Sequence, residues 1–268
     1  MKRIGILMML PPGAHPAYSY IRTSVLRWFA IPGIEIVPIP ANLTSAATIA
    51  AYFQHIHGLF LHPDWANHPS YARMVQTLLA MATEANRRGD YFPVWGTCLG
   101  FESMMQVAGT LGPLERFDAR QMEKARSRLH LRDPEIQRSR LLSAATNQQL
   151  IHLRHKYMPY LDHDYGISVG RFETNKVLRS MFRVLSTCHD RAGREYVSMI
   201  EGRSLPFYGT QFHPDMDRDL GWMVRFFLRE MQKSKHDGFR PYVLLQLDPA
   251  SCLEEMKYRV PCMRMPIQ

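Results

Sequence analysis

Hydrophobic positions in the first hundred residues fall into short solid runs separated by stretches of helical spacing. Residues 3–10 form an apolar run that reads as a buried strand. In 18–29, Ile21, Val25, Leu26 and Phe29 share one face at helical spacing, which predicts a helix. Residues 34–39 form a second strand after Pro32 and Gly33, and 46–56 a helix whose start is signalled by Thr44 and Ser45. A third strand at 58–61, a long helix at 71–88 stopped by Gly89, a fourth strand at 92–97 and a helix at 100–108 complete the first half. Strands alternating with helices imply a parallel sheet covered on both faces.

Beyond residue 113 the rhythm breaks. Residues 113–147 are rich in arginine, including Arg116, Arg120, Arg126, Arg128, Arg132, Arg138 and Arg140, with acids between them. This segment reads as a solvated helix or irregular excursion, or as a binding patch for an anionic partner. Three later runs, 183–187, 195–201 and 207–212, read as antiparallel strands, and 220–232 as a closing amphipathic helix. The domain is placed at 1–239. The tail at 240–268, with Pro241, Pro249, Pro261 and Pro266, is expected to wrap the surface or reach a partner.

The bulk numbers narrow the classes. With 268 residues the chain can bury one large core. No apolar run approaches the roughly 18 residues of a membrane span, so no membrane partner is expected. A net charge of +9 favours acidic partners. No helix-turn-helix, zinc finger or aromatic RNA motif accompanies that charge, so nucleic acid is not the expected partner. Cys98, Cys188, Cys252 and Cys262 contain no C-x-x-C pair, which argues against zinc. No metal or cofactor is expected. The opening residues read as a first strand rather than a secretory signal, which gives a cytoplasmic expectation.

Chemistry concentrates at two places. In Gly96-Thr97-Cys98-Leu99-Gly100 a strand ends and a helix begins. A sharp strand-to-helix turn presents its nucleophile, and small flanking residues permit the turn. The helix N-terminus lowers a thiol pKa and stabilises an oxyanion. Later come Gln211-Phe212-His213-Pro214-Asp215. A cysteine nucleophile needs a base, here His213, and the base needs a carboxylate to fix its tautomer, here Asp215.

Residues 89–102, with Phe92-Pro93-Val94-Trp95-Gly96-Thr97-Cys98-Leu99-Gly100-Phe101-Glu102, resemble the nucleophile region of γ-glutamyl hydrolases. Residues 196–215 are similar to the histidine region of the same family. The resemblance implies a class I glutamine amidotransferase-like fold: a three-layer α/β/α flavodoxin-like sandwich, mostly parallel, with added antiparallel strands. It implies Cys98 as nucleophile, His213 as base, and Glu102 and His163 as substrate-binding residues, with His152 and His155 as rivals of His163. It also implies a homodimer or membership of a larger assembly. Two positions depart from the family. Asp215 stands where the family has glutamate. His62-Pro63 stands where the family has a Gly-Gly turn with an oxyanion donor. Proline has no N–H, which leaves the Leu99 N–H and, as a substitute, the His62 side chain. Losing one oxyanion donor costs about 10²–10³ in rate.

Two functions fit these residues. One is a cysteine hydrolase that cleaves γ-linked glutamate, of the poly-γ-glutamyl folate type, through a Cys98 thioester. The alternative is a catalytically impaired descendant that serves as a structural or assembly subunit.

Overall fold

The first strand, β1 (Lys2–Leu7), sits inside the sheet rather than at its edge. The structure, a computed structural model, describes residues 1–9, 18–62, 68–120, 128–155, 161–237, 252–253 and 262–266. After β1 come β2 (Tyr18–Arg22), α1 (Thr23–Phe29), β3 (Ile34–Ile39), α2 (Ala46–His55), β4 (Gly58–Leu61), α3 (Pro69–Arg87), β5 (Val94–Thr97) and α4 (Leu99–Gly109). The middle of the chain gives β6 (Glu115–Arg116), β7 (His130–Leu131), α5 (Asp133–Ile136), α6 (Arg140–Ser143), α7 (Asn147–His155), β8 (Tyr165–Gly166), α8 (Val169–Thr174) and α9 (Lys176–Met181). It closes with β9 (Phe182–His189), β10 (Glu195–Gly202), β11 (Phe207–Thr210), α10 (Gly221–Gln232), β12 (Cys252–Leu253) and β13 (Cys262–Pro266).

Eight strands form the main sheet in the order β3-β1-β4-β5-β11-β10-β9-β7. From β3 to β11 every pairing is parallel, and β10, β9 and β7 continue it antiparallel. The expected mostly parallel sheet with antiparallel additions is therefore the observed one. One detail differs. β11, read as one of the antiparallel run, pairs parallel with β5 and antiparallel only with β10.

Alternation along the central strands sends side chains to two cores, as the two-residue period of a strand requires. Ile4, Ile6, Phe60, Trp95 and Tyr208 face one core, closed by residues of α1 and α10 such as Phe29 and Phe227. Leu7, Leu59, Leu61 and Val94 face the other, closed by α2, α3 and α4 through Tyr52, Leu78 and Phe101. Helices on both faces make the three-layer sandwich.

The expected helix over 18–29 is half right. Its first part is strand β2, joined to the chain by a bridge between Met9 and Tyr20, and only Thr23–Phe29 is helical. Ser19, Tyr20, Ile21 and Arg22 are all buried. A segment enclosed on both sides shows no amphipathic period. Two short tail strands join it: β13 pairs antiparallel with β2 and with β12. The rest of the expected tail, with Pro241, Pro249 and Pro261, lies outside the described residues.

Over its described part the arginine-rich segment is an irregular excursion of short elements, with Arg116, Arg120, Arg128 and Arg138 exposed and a few points docked on the domain. β7 adds an edge strand to the main sheet. Buried Glu201 on β10 accepts hydrogen bonds from Ser139 Oγ (2.7 Å), Arg140 N (3.1 Å) and Leu141 N (2.9 Å), and so holds the start of α6. Arg120, Arg132 and Arg140 pair with Asp164, Glu173 and Glu201.

Candidate active site

The carboxyl ends of three neighbouring parallel strands, β4, β5 and β11, converge here. In open α/β sheets this edge is where ligands bind. β4 ends into His62, β5 into Cys98, and β11 into Gln211, Phe212 and His213. Thr97 and Thr210 are register partners, so the cysteine and histidine turns leave the sheet side by side.

Cys98 is held at φ 51°, ψ −115°, a strained conformation for a residue with a Cβ. Among the described residues only Thr110 shares a positive φ without being glycine. The turn is locked on both sides. The Cys98 N–H donates to Thr210 O at 2.8 Å, and the Glu102 N–H donates to Cys98 O at 2.8 Å. The glycines are required by close approach. A Cβ on Gly96 would lie 2.7 Å from Gly100 O, and one on Gly100 would lie 2.1 Å from Leu61 O.

Cys98, Leu99, Glu102, Asp162 and His163 line a cavity of about 340 Å³, with Arg120 and Asp164 also on its wall. Glu102, one turn along α4, is buried and accepts from Gln211 Nε2 at 2.7 Å. Burial raises its carboxyl to about 8, against the lowering effect of the Gln211 bond. At neutral pH it is therefore a carboxylic acid with a proton to donate. His163 Nδ1 bonds Tyr165 O at 2.7 Å, so Nδ1 carries the proton. Its buried Nε2 is a lone pair without a donor among the described residues. Burial holds this imidazole neutral, down to about 4. Its rivals stand elsewhere: His152 faces Asp219 at 3.6 Å, and neither it nor His155 lines the cavity. His152, Asp217 and Asp219 bring possible ligand atoms within 4.8 Å of one another at the surface. Of the residues considered for the site, this cluster includes only the rival His152.

The side chains of His213 and Asp215 are enclosed, with Nδ1 and Oδ1 separated by 3.8 Å. Asp215 Oδ2 accepts from Ser24 Oγ at 2.6 Å. Burial lowers the imidazole well below its ordinary value, helped by Arg22, His163 and His62. The Cys98 thiol moves the other way. Burial raises it, and Glu102 adds to the rise, while Arg22 and the Leu99 N–H oppose it. The resting pair is therefore a neutral thiol and a neutral imidazole. Burial also raises the Asp215 carboxyl, against Ser24 and Arg22.

His62 is buried, and its Nε2 accepts from the Arg22 main-chain N–H at 2.8 Å. Nε2 therefore serves as an acceptor, which puts the ring proton, and with it the side chain's donor capacity, on Nδ1. Its carbonyl accepts from Tyr71 Oη at 2.9 Å. Pro63 lies outside the described residues. Sequence reading missed Arg22, Ser24 and Gln211, which flank the expected residues on every side.

The family model for class-I glutamine amidotransferase matches residues 18–224. The chain is 31% identical to mouse γ-glutamyl hydrolase over 237 residues, covering 81% of this chain and 73% of that one. This chain belongs to the γ-glutamyl hydrolases of the class-I glutamine amidotransferase family. Another γ-glutamyl hydrolase, form B of Dictyostelium discoideum, is 27% identical and covers 87% of this chain and 73% of its own length. Arabidopsis γ-glutamyl hydrolase 1 is 30% identical over 198 residues, and this chain spans 56% of that protein. Among solved structures, a Thermoplasma acidophilum protein of the GMP synthase type superposes with a TM-score of 0.50 at 14% identity, covering 87% of this chain and 94% of that one. The γ-glutamyl hydrolase fold thus places a strained cysteine, a buried histidine and a lined cavity at one sheet edge.

Proposed function

We propose that this chain hydrolyses γ-linked glutamyl amides, of the poly-γ-glutamyl folate type, with Cys98 as nucleophile. One observation carries the reading: Cys98 sits strained on its turn and lines a cavity shared with Glu102 and His163. That cavity offers complementary groups to a γ-glutamyl head. The Glu102 acid proton and Arg120 suit its α-carboxylate, and the His163 Nε2 lone pair suits its α-nitrogen hydrogen.

In this reaction His213 takes the thiol proton as sulfur attacks the γ-carbonyl. The opposed shifts of the two groups keep the proton on sulfur until substrate arrives. The Leu99 N–H, at the start of α4, faces the developing oxyanion. His213 then protonates the leaving amine and later activates water against the thioester. Asp215, 3.8 Å from Nδ1, balances the transient charge of the imidazolium.

The test is release of glutamate from a γ-glutamyl-linked diglutamate conjugate by the wild type and by Cys98→Ala. Release by wild type alone supports the proposal, and none from a folded wild type contradicts it. The scaffold reading is favoured by a different observation. The neutral thiol–imidazole pair and the 3.8 Å gap from His213 to Asp215 form a weakly activated dyad. Absence of turnover in the same assay supports that reading.

A further inference from the structure

Strand β6 carries a cation that the chemistry at Cys98 leaves unused. Its two residues are Glu115 and Arg116, and the two-residue period of a strand sends their side chains to opposite faces. Glu115 is taken up by Ser168, whose N–H and Oγ donate to its carboxylate at 2.7 and 2.8 Å. Arg116 is exposed. It lines a second cavity, of about 370 Å³, with Phe117, Asp118, Asp164 and Arg194.

This cavity adjoins the one that holds Cys98. Asp164 stands on the wall of both. Its carboxylate pairs at 2.7 Å with Arg120, which lines the Cys98 cavity. Its carbonyl accepts from the Phe117 N–H at 2.8 Å, and β6 pairs with β8, so the partition is tied main chain to main chain. Ion pairs account for the other charges of the second cavity. Asp164 has Arg120, Asp118 has Arg191 at 2.6 Å, and Arg194 has Asp190 at 2.7 Å. Arg116 has no carboxylate partner among the described residues. The wall is left with a positive charge in excess, which suits a carboxylate ligand.

We infer that the second cavity takes the α-carboxylate of the glutamate preceding the cleaved γ-glutamyl residue, with Arg116 as the residue that reads it. The direction follows from the first cavity. There the α-nitrogen of the γ-glutamyl head meets His163, and in a γ-linked chain that nitrogen carries the preceding glutamate. His163 is followed in the chain by Asp164, the shared wall. An arginine suits the task, because its planar fork matches a carboxylate bidentately. The basic segment thus supplies a reader of substrate length, and longer γ-linked chains are the preferred substrates.

This inference rests on the proposed hydrolysis, so the experiment separates the two. Initial rates of cleavage at the last γ-bond are measured on the same conjugate carrying two or three γ-linked glutamates, in wild type, Arg116→Gln and Arg116→Lys. Wild type is expected to favour the triglutamate about three- to fivefold in kcat/KM, mainly through KM, as fits a partly exposed ion pair. Arg116→Gln should bring that ratio close to unity. Arg116→Lys keeps the charge without the fork and should retain part of the preference. Both conjugates are also titrated calorimetrically into Cys98→Ala, with and without Arg116→Gln, where the same preference should appear in Kd and be lost. A triglutamate preference equal in wild type and Arg116→Gln overturns the inference, as does equal affinity of Cys98→Ala for the two conjugates. If wild type cleaves neither, the hydrolase reading falls by itself and the titration decides. Tighter binding of the triglutamate that depends on Arg116 then supports the second subsite, and equal binding, or none, overturns it.

Discussion

His213 Nδ1 and Asp215 Oδ1 stand 3.8 Å apart, beyond the range of a hydrogen bond. The carboxylate is held back by its bond to Ser24 at 2.6 Å. Asp215 stands where the resemblance leads one to expect glutamate, and one extra methylene spans much of such a gap. Asp215→Glu is therefore expected to raise kcat several-fold. Asp215→Asn, which cannot balance an imidazolium, should lower it by about 10²–10⁴, the range of losses seen when general acid–base catalysis is impaired. Steady-state kinetics on the diglutamate conjugate distinguishes the two directions.

Gly100 is fixed by contact rather than by backbone conformation. A Cβ there would meet the Leu61 carbonyl oxygen at 2.1 Å, and the neighbour is main chain that cannot yield cheaply. Gly100→Ala should destabilise the fold by about 3 kcal/mol, the upper range of overpacking. A matched change at Gly112, where an added Cβ meets nothing within 4 Å, should leave the melting temperature nearly unchanged. Thermal denaturation of the two variants makes the comparison.

Glu102 gives the folded protein a pH signature. Its carboxyl is near 8 when folded and near 4.5 when free, so the folded state alone holds that proton between those values. Stability contributed by the group is full below about 4.5 and falls as pH rises toward 8. His163, lowered from 6.5 to about 4, has the opposite slope between those two values and masks part of the effect there. From 6.5 to 8 the Glu102 decline is unmasked. Denaturant midpoints of wild type should fall across that interval, while those of Glu102→Gln stay flatter.

Glu201 anchors the basic segment. Removing a buried carboxylate that satisfies Ser139 Oγ and two main-chain N–H groups should cost about 3 kcal/mol. Glu201→Ala should also make the segment around α6 the first site of limited proteolysis. Cleavage elsewhere, with α6 still protected, would show that other contacts hold the segment.

The sheet was legible in the sequence because each central strand is a short apolar run between helical stretches, as at 34–39 and 58–61. The nucleophile turn was legible because Gly96 and Gly100 must be small for steric reasons that leave a trace in the letters. Arg22 was not legible. It follows Ser19, Tyr20 and Ile21 in a strand buried on both sides, and helical spacing from Ile21 to Phe29 ran across the strand–helix joint. What distinguishes that strand is the Met9–Tyr20 bridge, a contact between segments that no local period records. Gln211 was hidden for a similar reason. Its partner Glu102 lies on another element, and a polar residue after a strand ordinarily marks only the strand's end. His62 was visible as a departure, but the direction of its hydrogen bond depends on Arg22 and could come only from the fold.

The most direct measurement is the mass of the intact protein, acid-quenched during turnover of the diglutamate conjugate. A Cys98 hydrolase predicts a transient adduct of the acyl half of the substrate, mapped to the peptide carrying Cys98 and absent from Cys98→Ala. Glutamate release that persists in Cys98→Ala, or a folded wild type that forms neither adduct nor product, would contradict the thioester mechanism.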